Sequence, residues 1–188
     1  MITLIIGTPG SGKSALAEEL ALQTGDAARY YLATMMIRDA DGEERVRRHQ
    51  KRREGKGFVT LERYCAVAEA GKEMEDLPHA TVLLECVSNL VGNEMHDADG
   101  CRKPYLQDAL LQERFADEVA RDIEVLGDSA NNMILVTNEF APEGEGYDDE
   151  TRLYVKLLDL VNRRLAAYAD RICDLRPAAS HERKEKAN

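Results

Sequence analysis

The sequence predicts an α/β fold, a mainly parallel sheet with helices on both faces, and three observations carry that expectation. Short apolar runs of strand type alternate along the chain with stretches of helical pattern. The first such run, Met1 to Ile6, leads directly into a Gly-rich turn and then a helix-forming stretch. The chain has 188 residues, 44% of them hydrophobic, which is enough to bury the core that a two-faced sheet needs.

Taken in order, the strand candidates are 2–6, 29–33, 81–85, 133–137 and 170–174, with a weaker one at 58–61. Each is rich in Val, Ile, Leu, Tyr or Thr and is bounded by polar residues. Helical patterns are read near 13–24, 43–54, 64–75, 108–127 and 150–169. Residues 1–176 are read as a single domain. Asp97 to Gln107 is a polar insertion, and Ala141 to Glu150 is a loop rich in Gly and acids. Residues 177–188 are charged and aperiodic, and are read as a disordered tail. No internal repeat is visible.

In a parallel α/β sheet, ligands bind beyond the carboxyl ends of the strands. The first strand ends in Gly7-Thr8-Pro9-Gly10-Ser11-Gly12-Lys13-Ser14, a full GxxxxGK[ST] phosphate-binding loop between strand and helix. Its glycines let successive N–H groups turn toward a phosphate. Lys13 offers a point charge to the terminal phosphates, and the Ser14 hydroxyl is a ligand for Mg²⁺. A bound nucleoside triphosphate is the expectation. Glu85 closes the 81–85 strand, where such proteins place an acid that orients the metal; the other reading is a first solvated residue after a buried strand.

Composition narrows the partners. The net charge is −10, which disfavours a general nucleic-acid binder, because phosphate contacts need a basic face. Cys65, Cys86, Cys101 and Cys173 form no CxxC or Cys/His spacing. Cys86 and Cys173 are read as buried thiols, which suits a reducing cytoplasm. No signal peptide and no membrane-spanning run are seen.

One basic stretch runs against the acidic trend, from Arg45 to Arg53 (RVRRHQKRR). On a helix, Arg45, His49 and Arg53 fall at i, i+4 and i+8, and Arg52 stands three beyond His49. An imidazole among guanidinium groups is kept neutral, hence nucleophilic, near pH 7. The same arginines can offset the charge of a polyphosphate under attack. These residues suit a histidine that takes a phosphoryl or nucleotidyl group covalently. A solvated helix face, an RNA-binding surface and a packed histidine are the competing readings.

With these residues in place the chain resembles the CobU/CobP family of bifunctional adenosylcobinamide kinase/adenosylcobinamide-phosphate guanylyltransferases. The likeness runs over most of the chain. It rests on GTPGSGKS, on Tyr31-Leu32-Ala33-Thr34, and on the R-[IV]-x-x-H-x-x-x-R helix from Arg45 to Arg53. Thr60-Leu61-Glu62, Leu83-Leu84-Glu85-Cys86 with Asn93, and Val136-Thr137-Asn138-Glu139 follow in order, and then Asn162 to Asp170.

The resemblance implies a RecA-like P-loop domain, Mg²⁺, and ATP and GTP as substrates. It implies a corrinoid acceptor and a homo-oligomer, a trimer in the family. His49 would carry GMP, with Lys13, Arg45 and Arg53 as its catalytic companions. Thr34, Glu62, Asn93 and Asn138 would join Glu85 and the loop in binding nucleotide or substrate. The chain departs from the family at Phe140 to Tyr147, where a V-G-x-G-I-V-P stretch is usual. It departs again at Val155-Lys156, in place of an R-D pair. After Leu175 it has Arg176-Pro177 and a charged tail, in place of an apolar hairpin.

Overall fold

In a computed structural model, which describes residues 1–37, 40–96, 103–141 and 146–176 (without the side chains of 41, 45, 104 and 105), six strands make one sheet. They are β1 (Ile2–Gly7), β2 (Ala28–Ala33), β3 (Phe58–Glu62), β4 (Ala80–Glu85), β5 (Asn132–Asn138) and β6 (Arg171–Leu175). Their order is β3-β2-β4-β5-β1-β6, and every pairing is parallel. The weakest strand candidate is thus a full member, at one edge, and the C-terminal candidate pairs with β1 at the other.

A parallel sheet buries both faces, and strand alternation sorts the side chains between them. Leu4, Tyr30, Leu32, Val82, Leu84, Met133 and Leu135 point to one core. That core is closed by the helices α3 (Val87–Glu94), α4 (Ala109–Ser129) and α5 (Asp149–Tyr168). Ile5, Tyr31, Leu83, Ile134 and Val136 point the other way, onto Ala17 and Ala21 of α1 (Lys13–Gln23). Two alanines let α1 lie close against the sheet, so the phosphate loop at its start is held firmly. α2 (Ala40–Arg53) covers the same side, through Arg53 on the ring of Tyr31.

Helix ends follow local chemistry. Asp108 caps α4 by accepting from Leu110 N and Leu111 N, and Asp148 caps α5 by accepting from Thr151 N. Two readings change. Residues 64–75 form not an α-helix but a 3₁₀ segment, Val67–Glu73. Its buried residues Val67 and Ala70 are three apart, the 3₁₀ period. The sequence also gave no sign of α3, an eight-residue helix directly after Glu85-Cys86. Cys86 is buried, whereas Cys173 is only half-buried because β6 is an edge. Most of the 97–107 insertion, the centre of the 141–150 loop, Cys101 and the 177–188 tail lie outside the described residues. Among the described residues no helix is long and apolar enough to cross a membrane.

Register decides what meets at the carboxyl edge. Ala33 lies beside both Glu62 and Glu85, and Gly7 beside both Asn138 and Leu175. Five strand ends therefore bring the phosphate loop, Thr34, Glu62, Glu85 and Asn138 to one rim. β5 separates the loop strand β1 from the acid strand β4, the RecA-like arrangement.

Candidate active site

The phosphate loop is tightly folded on itself. Gly10 and Gly12 have φ of 78° and 88°, a region costly for residues with a Cβ. At Gly7 a Cβ would fall 2.7 Å from Ser11 Oγ and 3.1 Å from the Leu175 backbone, so any side chain there would push on the loop and on β6. The Lys13 ammonium donates to Gly7 O at 3.0 Å and Thr8 O at 2.6 Å. Burial holds its pKa below the ordinary lysine value. Gly12 leaves the start of α1 without a side-chain cap; Ala15 N turns back to Gly12 O at 3.1 Å, and the N–H groups before it are the ones placed to meet an anion. Ser11 Oγ is buried without a hydrogen-bond partner among the described residues, which marks an incomplete polar site.

Glu85, only 8% exposed, is the hub. Its Oε1 accepts from the Ser14 hydroxyl and lies 3.4 Å from His49 Nδ1. Its Oε2 accepts from the Tyr31 hydroxyl at 3.2 Å. Ser14, Glu85 and His49, far apart in sequence, thus form one cluster over the end of β4.

α2 reaches this point with almost no apolar surface. It is fastened by charge. Arg52 Nε donates to Glu18 Oε1 at 2.7 Å, and Lys56, just past the helix, donates to Oε2 at 2.9 Å. Glu18 is on α1 and 1% exposed. One residue on, the Arg53 guanidinium carbon lies 3.3 Å from the centroid of the Tyr31 ring. Its Nε and Nη1 are buried without a partner among the described residues.

These contacts hold His49 above Glu85 with a quarter of its side chain exposed. Burial lowers the imidazole pKa, Glu85 opposes this, and Arg52 and Arg53 lower it further. The sequence argument credited the arginines alone; loss of water is the larger cause. Arg45 lies in α2, but its side chain is outside the described residues.

Two cavities meet at His49. One, of about 400 Å³, is lined by Lys13, Ser14, Tyr31, His49, Arg53 and Glu85, with Glu62 and Asn138 on its wall. The other, of about 490 Å³, lies between residues 10–15 and Arg48, His49 and Arg52. Glu62 accepts from the Tyr64 hydroxyl at 2.8 Å, and Asn138 Nδ2 donates to Ser88 Oγ at 2.7 Å.

Thr34 and Asn93 stand behind the wall. The Thr34 hydroxyl donates to Cys86 O and accepts from Cys86 N, both at 2.8 Å. Asn93 Nδ2 donates to Thr34 O and Tyr64 O. Their polar atoms brace the strand ends.

Sequence reasoning missed Tyr31 and Glu18. A clue to the first was present, since a tyrosine in a buried strand needs a partner for its hydroxyl.

The oxygen donors suit a hard cation. Ser14 Oγ and Glu85 Oε1 lie side by side at the cavity floor, and Mg²⁺ is bound by few protein oxygens plus phosphates and water. Among the described residues no three His, Cys, Asp or Glu gather into a metal cluster. The remaining ligands would be the triphosphate and water.

Comparison with known proteins agrees in extent. The chain is 31% identical to the bifunctional adenosylcobalamin biosynthesis protein CobU of Salmonella typhimurium, covering 92% of this chain and 93% of that one. It is 32% identical to the protein of the same name from Escherichia coli, again over 92% and 93%. The Pseudomonas aeruginosa CobP protein is 30% identical over 92% and 91%. Residues 3–175 match the model of the CobU family, described as cobinamide kinase / cobinamide phosphate guanyltransferase, and the chain belongs to that family.

Proposed function

We propose that this protein is a bifunctional enzyme of adenosylcobalamin assembly. It transfers the γ-phosphoryl group of ATP or GTP to the aminopropanol hydroxyl of adenosylcobinamide. It then transfers GMP from GTP, by way of His49, to the adenosylcobinamide phosphate, giving adenosylcobinamide-GDP. Family membership and the names of the relatives support the pathway. The observation that carries the two-step reading is the placing of His49 3.4 Å from Glu85, itself bonded to Ser14 of the phosphate loop.

In the kinase step the acceptor oxygen attacks the γ-phosphorus, the hydroxyl proton is released, and the nucleoside diphosphate leaves. Lys13 and the loop N–H groups hold the phosphates. In the second step the carboxylate of Glu85 beside Nδ1 favours the tautomer with its proton there, which leaves the lone pair on Nε2. That nitrogen attacks the α-phosphorus of GTP. A P–N bond forms, the bond from the α-phosphorus to the bridging oxygen breaks, and pyrophosphate leaves with the electron pair. An oxygen of the cobinamide phosphate next attacks the same phosphorus. The P–N bond breaks, and the imidazole recovers its lone pair. Arg52 and Arg53 flank this charge transfer. Mg²⁺, held by Ser14 and Glu85, would neutralise phosphate charge.

The setting we propose is cytoplasmic, with nucleotide and corrinoid as small-molecule partners, no nucleic acid, and a homotrimeric assembly. The test is intact-protein mass after incubation with Mg²⁺ and GTP. Wild type should gain one GMP that base spares and acid removes, and His49→Ala should gain none. A wild-type chain that phosphorylates cobinamide yet never carries GMP, with pyrophosphate removed, is a plain kinase and overturns the covalent step.

A further inference from the structure

Beside the nucleotide cavities lies a larger one, of about 740 Å³, that neither the phosphate loop nor His49 touches. It opens between the end of β2, α3 and the first turn of α5. It shares Met35 and Asn89 with the cavity that holds Lys13 and Glu85. A molecule seated there can therefore pass one end along Asn89 to the reacting phosphates.

Its walls are chemically unlike those of the nucleotide cavities. Among the described residues that line it there is no lysine or arginine. His96 is turned to Gly92 O and to Glu150, at 2.8 and 2.9 Å. Asp148 and Glu150 sit on one side, the amide of Asn89 on another, and the thioethers of Met35 and Met95 form the apolar part. A second polyphosphate is repelled by such walls. They suit a bulky ligand with many neutral amides and a net positive charge: carboxylates and amides pair with amide N–H groups, and thioethers pack against a flat unsaturated ring.

We infer that this cavity is the acceptor site, where the corrin ring and its amide arms are held while the aminopropanol arm passes Asn89 toward Lys13. This rests on the proposed function for the identity of the acceptor. A corrin that carries Co(III) and an alkyl ligand, fringed with amides, has the charge and polarity described. Because one ring site then serves both reactions, the same walls set affinity for cobinamide and for cobinamide phosphate.

The test fills the cavity. Thr151 lines it from the first turn of α5, where its backbone N–H and its hydroxyl both meet the capping Asp148. Thr151→Trp should raise the KM for adenosylcobinamide tenfold or more in phosphorylation and GMP transfer alike. Equilibrium dialysis, read by the visible absorbance of the corrinoid, should show the same loss without turnover. GMP loading of His49 from GTP should stay within twofold of wild type. Glu150→Arg, an exposed change that reverses charge on the wall, should weaken corrinoid binding similarly and so guards against misfolding of the first variant. Corrinoid affinity within twofold of wild type in both folded variants overturns the site. Absence of GMP on His49 in wild type fails the proposed function instead, and the dialysis result still judges the cavity on its own.

Discussion

The Tyr31 hydroxyl donates to Glu85 Oε2 at 3.2 Å, opposite the oxygen that receives Ser14 and faces His49. Tyr31 thereby fixes the plane of the carboxylate, and its ring carries Arg53 at 3.3 Å. Burial raises the phenol pKa far above its ordinary value, so the group donates throughout the working pH range. A neutral residue that no charge argument selects thus ties the acid of β4 to the histidine helix.

Tyr31→Phe keeps the ring and removes this hydrogen bond. The expected result is a roughly tenfold slower GMP loading, the equivalent of about 1.4 kcal/mol for a hydrogen bond to a charged group. Nucleotide affinity should change little, and a Mg²⁺ titration of loading should shift to higher concentration. Rates and titration midpoints equal to wild type would show that Glu85 needs no such support.

Arg53 can be tested through the same ring. Arg53→Lys keeps a charge but loses the planar guanidinium that stacks on Tyr31. Loading should fall well beyond any change in stability, and Arg53→Gln should fall further. A lysine variant with the wild-type rate would mean that charge alone matters there.

Lys13→Ala should cost nucleotide affinity by roughly 30- to 150-fold, the weight of about 2–3 kcal/mol for charge-assisted bonds to phosphate. Circular dichroism should be unchanged, because among the described residues the ammonium bonds only to Gly7 O and Thr8 O of its own loop. Calorimetric titration with GTP decides it; affinity within twofold of wild type on a folded chain removes the loop from triphosphate binding.

These residues divide by how they are encoded. The phosphate loop, Glu85 at the end of its strand and the spacing of His49 among arginines are local patterns, and β1, β2, β4 and β5 follow from apolar runs between turns. Glu18 is different. Nothing in the α1 stretch KSALAEELALQ says that this glutamate, and not Glu19, is buried to receive Arg52 and Lys56. That depends on where α2 docks, a tertiary fact. α3 was hidden because it is short and carries Gly92, which weakens helical propensity. The 67–73 segment misled because Val67 and Ala70 fit both helical periods over so few residues.

Glu18→Ala should loosen α2 and cost about 1 kcal/mol of stability. The carboxylate is buried, but Arg52 and Lys56 are each about one-third exposed and return to water, so solvent screening discounts the pair. GMP loading should fall more steeply than stability, since His49 sits three residues before Arg52. Urea unfolding beside loading rates separates the two; equal wild-type loading would show that the ion pairs do not position the helix.

The pH dependence of His49 follows from its setting. Burial, then Arg52 and Arg53 against the pull of Glu85 and Glu18, lowers its pKa from the ordinary 6.5. The attacking form is the neutral imidazole, so a depressed pKa keeps that form populated as pH falls. Loading measured in single turnover should therefore have its acid limb centred below pH 6.5. Stability carries the same sign. Between the folded pKa and 6.5 the unfolded chain binds more protons than the native one, so acid removes stability that is fully present above pH 6.5. His49→Ala, which has no proton to refuse, should lose less stability than wild type over that interval. Neutralising an arginine, as in Arg52→Gln, lifts one cause of the depression and should move the acid limb upward. An acid limb at or above 6.5 in wild type would mean that Glu85 outweighs burial and the arginines, and that His49 is not held neutral by its setting.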